Sequence, residues 1–121
     1  MENIKPGEIG MANFPLAEKA GALVHPVLVM GVETTLSGAM YAVVAYGSSQ
    51  NVSRSGHLAH EFVLTPEDGQ AFSKAGLRKA TRFDLRKTAR IPCDEIRQIG
   101  LVDLKDRAMY ARLRDATFAA Q

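Results

Sequence analysis

The sequence predicts an α+β protein built on a curled antiparallel sheet or small β-barrel. Two observations favour this class. Short apolar runs separated by turn residues fill most of the chain, and one short inserted helix and one C-terminal amphipathic helix accompany them. The 121 residues, 46% of them hydrophobic and 23% charged, fit one soluble domain spanning residues 1–121.

Four strands are predicted in the first half of the chain. A turn signal at Pro6-Gly7 precedes the first strand, residues 8–14, which Pro15 stops. Residues 26–32 form a continuous apolar run, which is typical of a strand buried on both faces. The other two strands are predicted at residues 40–46 and 60–64. Loops are predicted at residues 16–24, 34–38 and 47–56.

The second half of the chain contains helix signals. Thr65 as N-cap and Pro66 at the first helical position predict a short helix that ends at Gly76. A basic strand follows at 81–85, and residues 88–92 either pair with it or extend it. A last short strand or turn is predicted at 96–102. Asp103 is then predicted to cap a C-terminal helix with the apolar stripe Met109, Leu113, Ala116 and Ala120.

Composition argues against several classes of protein. A net charge of +2 does not by itself indicate nucleic-acid binding, and the lone Cys93 excludes an intramolecular disulfide and favours a reducing, cytoplasmic location. No stretch approaches the roughly 20 apolar residues of a membrane span, so no membrane partner is expected. His25, His57 and His60 lack metal-ligand spacing, since His57 and His60 would lie on opposite faces of a strand. No metal or cofactor is predicted.

The basic strand carries the most suggestive pair of side chains. Arg82 and Asp84 are two residues apart, so a strand places both on one face, with Phe83 and Leu85 on the other. Asp84 is the only acid within residues 74–90, the most basic part of the chain. Such a face could hold a polyanion and offer it one base. The alternative interpretation is a solvated edge strand whose charges prevent aggregation.

A series of short motifs along residues 6–120 resembles the MazF/PemK family, the Kid-like toxins of type II toxin–antitoxin modules. The motifs are Pro6-Gly7-Glu8-Ile9, Phe14-Pro15, His25-Pro26-Val27-Leu28-Val29, Gly47-Ser48-Ser49-Gln50-Asn51, Ala75-Gly76-Leu77, Thr81-Arg82-Phe83-Asp84 and Ile99-Gly100. The resemblance implies an SH3-like barrel with helices, a homodimer, and metal-independent cleavage of single-stranded RNA. It also implies a cognate antitoxin, which would insert an extended acidic segment across the basic groove.

The resemblance implies roles for three residues. In the Kid/PemK branch an Arg-x-Asp pair stands where Arg82 and Asp84 stand here, so Asp84 would be the general base that takes the proton of the ribose 2′-OH. Arg82 would stabilise charge on the scissile phosphate. The products would be 2′,3′-cyclic phosphate and 5′-OH ends. The family usually has Arg-Pro where this chain has His25-Pro26, so His25 either protonates the leaving oxygen or is a packed structural remnant.

Further residues are predicted to contact RNA by the same resemblance. Ser48 and Ser49 match a hydroxyl-bearing pair of the family, with a register uncertain by one residue, although serines are also common in ordinary turns. The polar segment that the family carries between its first two strands is only partly present, at residues 18–21. His57 and His60 either border the groove, or His60 is a structural strand residue, which is the preferred interpretation. The remaining candidates for RNA contacts are Gln50, Lys79, Thr81, Arg86 and Glu8.

Two functions therefore stay open at this stage. The first is an endoribonuclease toxin. The second is a catalytically silent member of the same fold that acts as an RNA- or protein-binding module. Loss of cleavage on Asp84→Ala would indicate the first, and unchanged or tighter RNA binding with no cleavage would indicate the second.

Overall fold

A six-stranded antiparallel sheet forms the centre of the computed structural model, which describes residues 4–15 and 23–121. The strands occur in the spatial order β4-β5-β3-β2-β1-β6. The elements are β1 (Glu8–Asn13), β2 (Val24–Thr34), β3 (Met40–Ser48), β4 (Glu61–Leu64), α1 (Gln70–Ala75), β5 (Thr81–Pro92), β6 (Arg97–Leu101) and α2 (Arg107–Ala120). This arrangement confirms the predicted α+β class and the small, curled antiparallel barrel.

The two faces of the sheet bury two separate apolar clusters. On the first, here called the helical face, Ile9, Leu28, Phe62 and Phe83 pack against residues of α1 and α2. On the opposite face, here called the second face, the cluster is Ile4, Ala12, Phe14, Val27, Val29, Ala42, Val44, Ile91 and Ile96. The apolar run in β2 is therefore buried on both faces, as predicted, because Val27, Leu28 and Val29 are all at most 1% exposed.

Strand β5 contains a bulge in its pairing with β3. Ala45 of β3 pairs with Thr88, and the next residue, Tyr46, pairs with Asp84, so three residues of β5 (85–87) have no partner in β3. The bulge keeps Leu85 in the core, and the backbone N–H of Leu85 donates to the carbonyl of His60 at 3.1 Å. Residues 88–92 thus extend the basic strand rather than pair with it. The bend separates the part of β5 that pairs with β4 from the part that pairs only with β3.

Gly47 allows β2, β3 and β5 to approach closely at one end of the sheet. A Cβ atom on Gly47 would lie 2.5 Å from the carbonyl oxygen of Pro26 and 2.8 Å from Cε1 of Phe83. Only glycine fits such an approach of backbone and ring. This packing explains why β3 continues to Ser48, two residues beyond the predicted end of the strand.

The helices differ from the prediction at two points. Gly69, with φ of 61°, divides the predicted helix into a 3-10 turn at Pro66–Asp68 and α1, and Gly76 ends α1 in the left-handed conformation. Asp103 is not the cap of α2: Oδ1 of Asp106 accepts hydrogen bonds from the backbone N–H groups of Ala108 and Met109. The predicted apolar stripe of α2 does pack on the core.

The histidines before β4 do not lie where the sequence predicts them. Strand β4 begins at Glu61, so the turn that contains His57 and His60 does not place them on opposite faces of a strand. The polar segment predicted at residues 18–21 lies outside the described residues. None of the helices in the described part of the chain is long and apolar enough to cross a membrane.

Candidate active site

Arg82 and Asp84 lie on the second face of β5, at the end of the sheet where the bend has brought β4 alongside. Their side chains are 25% and 26% exposed, so both can meet a ligand from solvent. In the register of the sheet Arg82 pairs with Ser48 and Asp84 pairs with Tyr46, both in β3. Paired residues in adjacent antiparallel strands share a face. The predicted common face of Arg82 and Asp84 is therefore present in the structure.

Two acceptors fix the guanidinium of Arg82. Its Nε donates to the carbonyl oxygen of Gln50 at 2.8 Å, and its Nη1 donates to Oε2 of Glu61 at 2.9 Å. Glu61 is buried, and its other carboxylate oxygen accepts from the backbone N–H of Leu58 at 2.9 Å. Because a guanidinium has five N–H donors, those on Nη2 and the second on Nη1 are left to bind an anion.

The carboxylate of Asp84 is held through one of its two oxygens. Oδ1 accepts a hydrogen bond from the backbone N–H of Arg86 at 3.0 Å and lies 3.4 Å from Nε2 of His60. His60 is largely buried, with a side chain 15% exposed. Both contacts orient the carboxyl group and leave Oδ2 as the oxygen that can accept a proton from a substrate.

The same face extends toward β2 with the side chains of Tyr46, His25 and Lys87. The ring of His25, at the start of β2, lies 4.8 Å from that of Tyr46, centroid to centroid, and His25 is half-buried. Nζ of Lys87 sits 4.7 Å from the centroid of the same Tyr46 ring, a cation–π contact. Oγ of Ser48 accepts from the backbone N–H of Gln50 at 3.1 Å, which keeps the hydroxyl hydrogen of Ser48 free to donate.

The arrangement is suited to acid–base chemistry on an anionic substrate. It offers a carboxylate as base, a guanidinium with unused donors for oxyanions, and an imidazole that can donate a proton near neutral pH. In the described part of the chain no group of three or more His, Cys, Asp or Glu residues is placed to hold a metal ion.

Comparison with solved structures shows that this chain has a known fold. The Mycobacterium tuberculosis toxin MazF-mt6 matches 93% of this chain and 94% of its own, with a TM-score of 0.61 and 22% sequence identity. The chain has the fold of the MazF toxins. A second solved structure, of an Mtb toxin, matches 80% of this chain and 92% of its own, with a TM-score of 0.55 and 22% identity. No protein-family model matches the sequence, and no curated protein matches it.

The sheet brings together the three residues predicted to act in catalysis and one residue predicted to contact RNA. Arg82, Asp84, His25 and Ser48 share the end of the second face, through the pairings and the ring contact described above. Gln50 takes part through its backbone, which holds Arg82 and Ser48. Ser48, and not Ser49, is the serine that pairs with Arg82.

Three residues predicted to contact RNA lie elsewhere. Thr81 is 1% exposed, and its hydroxyl donates to the carbonyl of Lys79 at 2.9 Å, so its side chain is engaged within the fold and not in this site. The guanidinium of Arg86 reaches the opposite side, where Nη2 donates to the carbonyl of Ala119 at 3.2 Å. Glu8 lies at the far end of β1, paired with Leu101, and accepts from the N–H of Lys5.

The sequence reasoning missed two residues of this site, Glu61 and Lys87. Glu61 could have been recognised from the apolar residues that follow it, because a carboxylate in a buried strand requires a charged partner. Lys87 could not have been placed, since the bulge in β5 turns it toward Tyr46. His60, which the sequence left as either a residue bordering the groove or a structural strand residue, lies 3.4 Å from Asp84.

Proposed function

We propose that this protein is a toxin of the MazF/PemK family that cleaves single-stranded RNA without a metal ion. The observation that carries the proposal is the position of Arg82 and Asp84, on one face of a bent strand and partly open to solvent, in a chain with the MazF fold. The MazF fold alone would not support an activity, because one fold can host different functions. The side chains at the end of the second face supply the chemistry.

In the proposed reaction the substrate brings its own nucleophile. Oδ2 of Asp84 removes the proton of the ribose 2′-OH, and the 2′ oxygen forms a bond to the adjacent phosphorus. The bond from phosphorus to the 5′ oxygen breaks, and the imidazolium of His25 gives its proton to that oxygen. The products carry a 2′,3′-cyclic phosphate and a 5′-OH. Solvent then removes the proton from Asp84 and returns one to His25.

Arg82 serves the same reaction as a fixed electrostatic group. Negative charge accumulates on the non-bridging phosphate oxygens as the 2′ oxygen attacks, and the unused N–H groups of Arg82 can donate to them. Because Glu61 and Gln50 already hold the guanidinium, little reorganisation is needed when the substrate binds. The Ser48 hydroxyl is a further donor for a phosphate oxygen.

The proposal extends to partners. A toxin of this kind would act as a homodimer in the cytoplasm, with single-stranded RNA as substrate. Its cognate antitoxin would neutralise it with an extended acidic segment. The concentration of cations between residues 74 and 90 supports association with polyanions, because it creates a local positive field.

The decisive experiment measures RNA cleavage in the absence of divalent metal. Purified protein is incubated with single-stranded RNA in EDTA, and the fragment ends are mapped for cyclic phosphate and 5′-OH. We expect Asp84→Ala to lower the cleavage rate by about 10²–10⁴-fold, as loss of a general base does. Asp94→Ala is the matched control, because Asp94 is an exposed carboxylate in a turn away from the site.

The outcomes separate the two functions that the sequence left open. Cleavage that depends on Asp84 establishes the nuclease. RNA that is bound but not cut by the wild-type protein, with equal or tighter binding by Asp84→Ala, would indicate a silent RNA-binding module. Cleavage that EDTA abolishes would contradict the proposed chemistry, because the proposed groups act without a metal.

A further inference from the structure

A second cationic feature lies on the helical face, on the side of the sheet opposite Arg82 and Asp84. It is a groove of about 490 Å³, here called the loop groove. Its described lining consists of Met11, Pro26, Ser49, Gly76, Leu77, Arg78, Lys79, Thr81, Arg97 and Ile99. None of these residues is acidic, and three are cations. The volume lies in the range that binds a small ligand or one nucleotide.

The floor of the loop groove is set by the register of three strands. Met11 in β1 pairs with Arg97 in β6 on one side and with Pro26 in β2 on the other, so the three side chains form one row across the sheet. Ile99 is half-buried against the core cluster of the helical face. The floor therefore combines an exposed guanidinium with apolar side chains.

The wall of the loop groove is the segment that follows α1, and two contacts fix it. Gly76 has φ of +71°, and a Cβ there would collide with the carbonyl of Ile99, so the backbone of this segment lies directly on β6. The Thr81 hydroxyl then holds the carbonyl of Lys79. These contacts fix the backbone that carries Arg78 and Lys79 beside the strand that carries Arg97.

The charges of the loop groove are not neutralised within the described residues. Arg54, Lys74, Arg82, Arg90, Arg112 and Arg114 each form an ion pair with a carboxylate. Arg78, Lys79 and Arg97 are exposed, and none of the described carboxylates lies within ion-pair distance of them. Three adjacent uncompensated cations create a local positive potential that attracts an anion.

We propose that the loop groove binds a nucleotide of the same RNA strand that is cleaved at Arg82 and Asp84, an inference that rests on the proposed function. Ser49 lines the groove, and its neighbour Ser48 pairs with Arg82, so a strand that passes over this end of the sheet meets both places. Arg78, Lys79 and Arg97 contact the phosphates, and Leu77, Ile99 and Met11 contact the base. The mixture of cations and apolar surface favours a nucleotide over a simple anion.

The test compares RNA lengths in a form of the protein that does not cut. In an Asp84→Asn background, the dissociation constants of fluorescent single-stranded RNAs of increasing length are measured by anisotropy. We expect the double variant Arg78→Ala/Arg97→Ala to weaken binding of the longer RNAs by about 10-fold or more. The salt slope should become shallower by about 1.4, since each neutralised phosphate contributes about 0.7 on a single strand. Lys105→Ala/Arg107→Ala removes the same charge from the exposed region around the start of α2 and should have a smaller effect.

Cleavage assays distinguish failure of this inference from failure of the proposed function. Suppose that the protein with Asp84 intact cuts RNA, and that Arg78→Ala/Arg97→Ala does not change KM for either long or short substrates. The loop groove is then not a subsite. If the intact protein does not cut but binding still depends on Arg78 and Arg97, the groove assignment survives and the nuclease proposal falls. In the expected case KM rises for long substrates only.

A further arm separates RNA from an acidic protein segment. An RNA with one abasic position tests the apolar floor, and we expect weaker binding when that position reaches the groove. A polyglutamate peptide carries charge without bases and should bind more weakly than RNA. Equal binding of the abasic RNA would show that no base is bound and overturn the proposal. Tighter binding of polyglutamate that is lost with Arg78 and Arg97 would also overturn it, and would assign the groove to an acidic protein segment.

Discussion

Nη1 of Arg82 donates to Oε2 of Glu61 at 2.9 Å, and the carboxylate of Glu61 is almost fully buried. The arginine proposed to stabilise the scissile phosphate is thus already paired with an acid. This pair has two opposing effects on the reaction. Glu61 fixes the direction of the guanidinium, and it also cancels part of the positive charge that would attract RNA.

The first prediction follows from these opposing effects. Glu61→Gln removes the charge and keeps an acceptor for the Leu58 N–H. We expect RNA affinity to rise about two- to fivefold, because Arg82 is no longer neutralised. We expect kcat to fall by about 10- to 100-fold, because the guanidinium is less firmly oriented. Single-turnover cleavage and equilibrium binding measure the two effects separately.

The control for Glu61 is Glu33→Gln. Glu33 also pairs with an arginine, Arg90, at 2.8 Å, but the pair is exposed and belongs to another part of the sheet. We expect no change in either quantity for Glu33→Gln. If Glu61→Gln lowers affinity and kcat together, the role of Glu61 is structural and the orienting role is wrong.

The second prediction concerns the 3.4 Å contact between Nε2 of His60 and Oδ1 of Asp84. We expect His60→Gln to lower kcat by about 10-fold with little change in RNA affinity, because the imidazole positions the base and does not touch the phosphate. His57→Gln is the control, since His57 is exposed and its ring is hydrogen-bonded to the carbonyl of Leu58. Equal activity of the two variants would rule out the positioning role of His60.

The third prediction tests His25 as the proton donor. Replacing the 5′ oxygen of the leaving group by sulfur gives a leaving group that needs no protonation. We therefore expect His25→Ala to cut an ordinary RNA about 10²-fold more slowly than wild type and the sulfur-containing RNA at nearly the wild-type rate. Asp84→Ala should stay slow on both substrates, because the 2′-OH must still be deprotonated.

A contrary result for His25 is equally clear. If the sulfur substrate does not restore the activity of His25→Ala, the half-buried ring beside Tyr46 is a packing residue, as the alternative interpretation of the sequence holds. His25→Arg adds a complementary measurement, because an arginine supplies charge but is a poor proton donor at neutral pH. We expect His25→Arg to cleave the ordinary RNA slowly.

Features set by residues close together in the sequence could be predicted, and contacts between residues far apart in the sequence could not. The shared face of Arg82 and Asp84 follows from the two-residue period of a strand, which is a local property. The same alternation places Thr81 beside Phe83 on the inward face, which is where the structure has it, so its assignment to RNA contact was inconsistent with the strand pattern. The apolar stripe of α2 was equally local and was confirmed.

Contacts between distant residues could not be predicted in this way. Arg82 and Glu61 are 21 residues apart in sequence and meet because β4 pairs with β5. The bulge that turns Lys87 toward Tyr46 and Arg86 toward α2 leaves no mark in the residue pattern of 85–87. Two aspartates precede α2, and the sequence does not show which of them is the N-cap. In the structure Asp103 binds Lys74, and Asp106 caps the helix.

The fourth prediction tests the close packing of strands at the base of the site. Gly47→Ala would place a methyl group 2.5 Å from the Pro26 carbonyl and should destabilise the protein by about 1–3 kcal/mol. Gly31→Ala, also in a strand, meets nothing within 4 Å and should change the free energy of unfolding by less than about 0.5 kcal/mol. Urea denaturation midpoints measure both. Equal midpoints would contradict the packing at Gly47.

The fifth prediction concerns Asp68, which joins the loop after β3 to α2. Its side chain is 4% exposed and accepts hydrogen bonds from Arg54 and from Arg112, and Arg112 also donates to the carbonyl of Val63 in β4. Burial alone raises the pKa of Asp68. The hydrogen bonds from Arg112, the Thr65 backbone and Arg54 outweigh it, and hold the pKa below its ordinary value of 3.8.

The lowered pKa of Asp68 makes the stability of the fold depend on pH. A carboxyl group with a lower pKa in the folded protein than in the unfolded chain stabilises the fold fully at pH values above the unfolded pKa. That contribution is lost as the pH falls through the folded value. We expect Asp68→Asn to cost about 2–4 kcal/mol of unfolding free energy at pH 7 and progressively less below pH 4, because the protonated wild-type side chain then resembles the amide.

Denaturant unfolding of wild type and Asp68→Asn at pH 7, 5, 4 and 3 measures this difference directly. Asp115→Asn serves as the control, because the ion pair of Asp115 with its neighbour Arg114 is exposed and should contribute less than about 1 kcal/mol at any pH. A cost of Asp68→Asn that stays constant from pH 7 to pH 3 would show that the effect comes from geometry and not from charge. In that case the two arginines, and through Arg112 the position of β4 beside Arg82, would not depend on the ionised carboxylate.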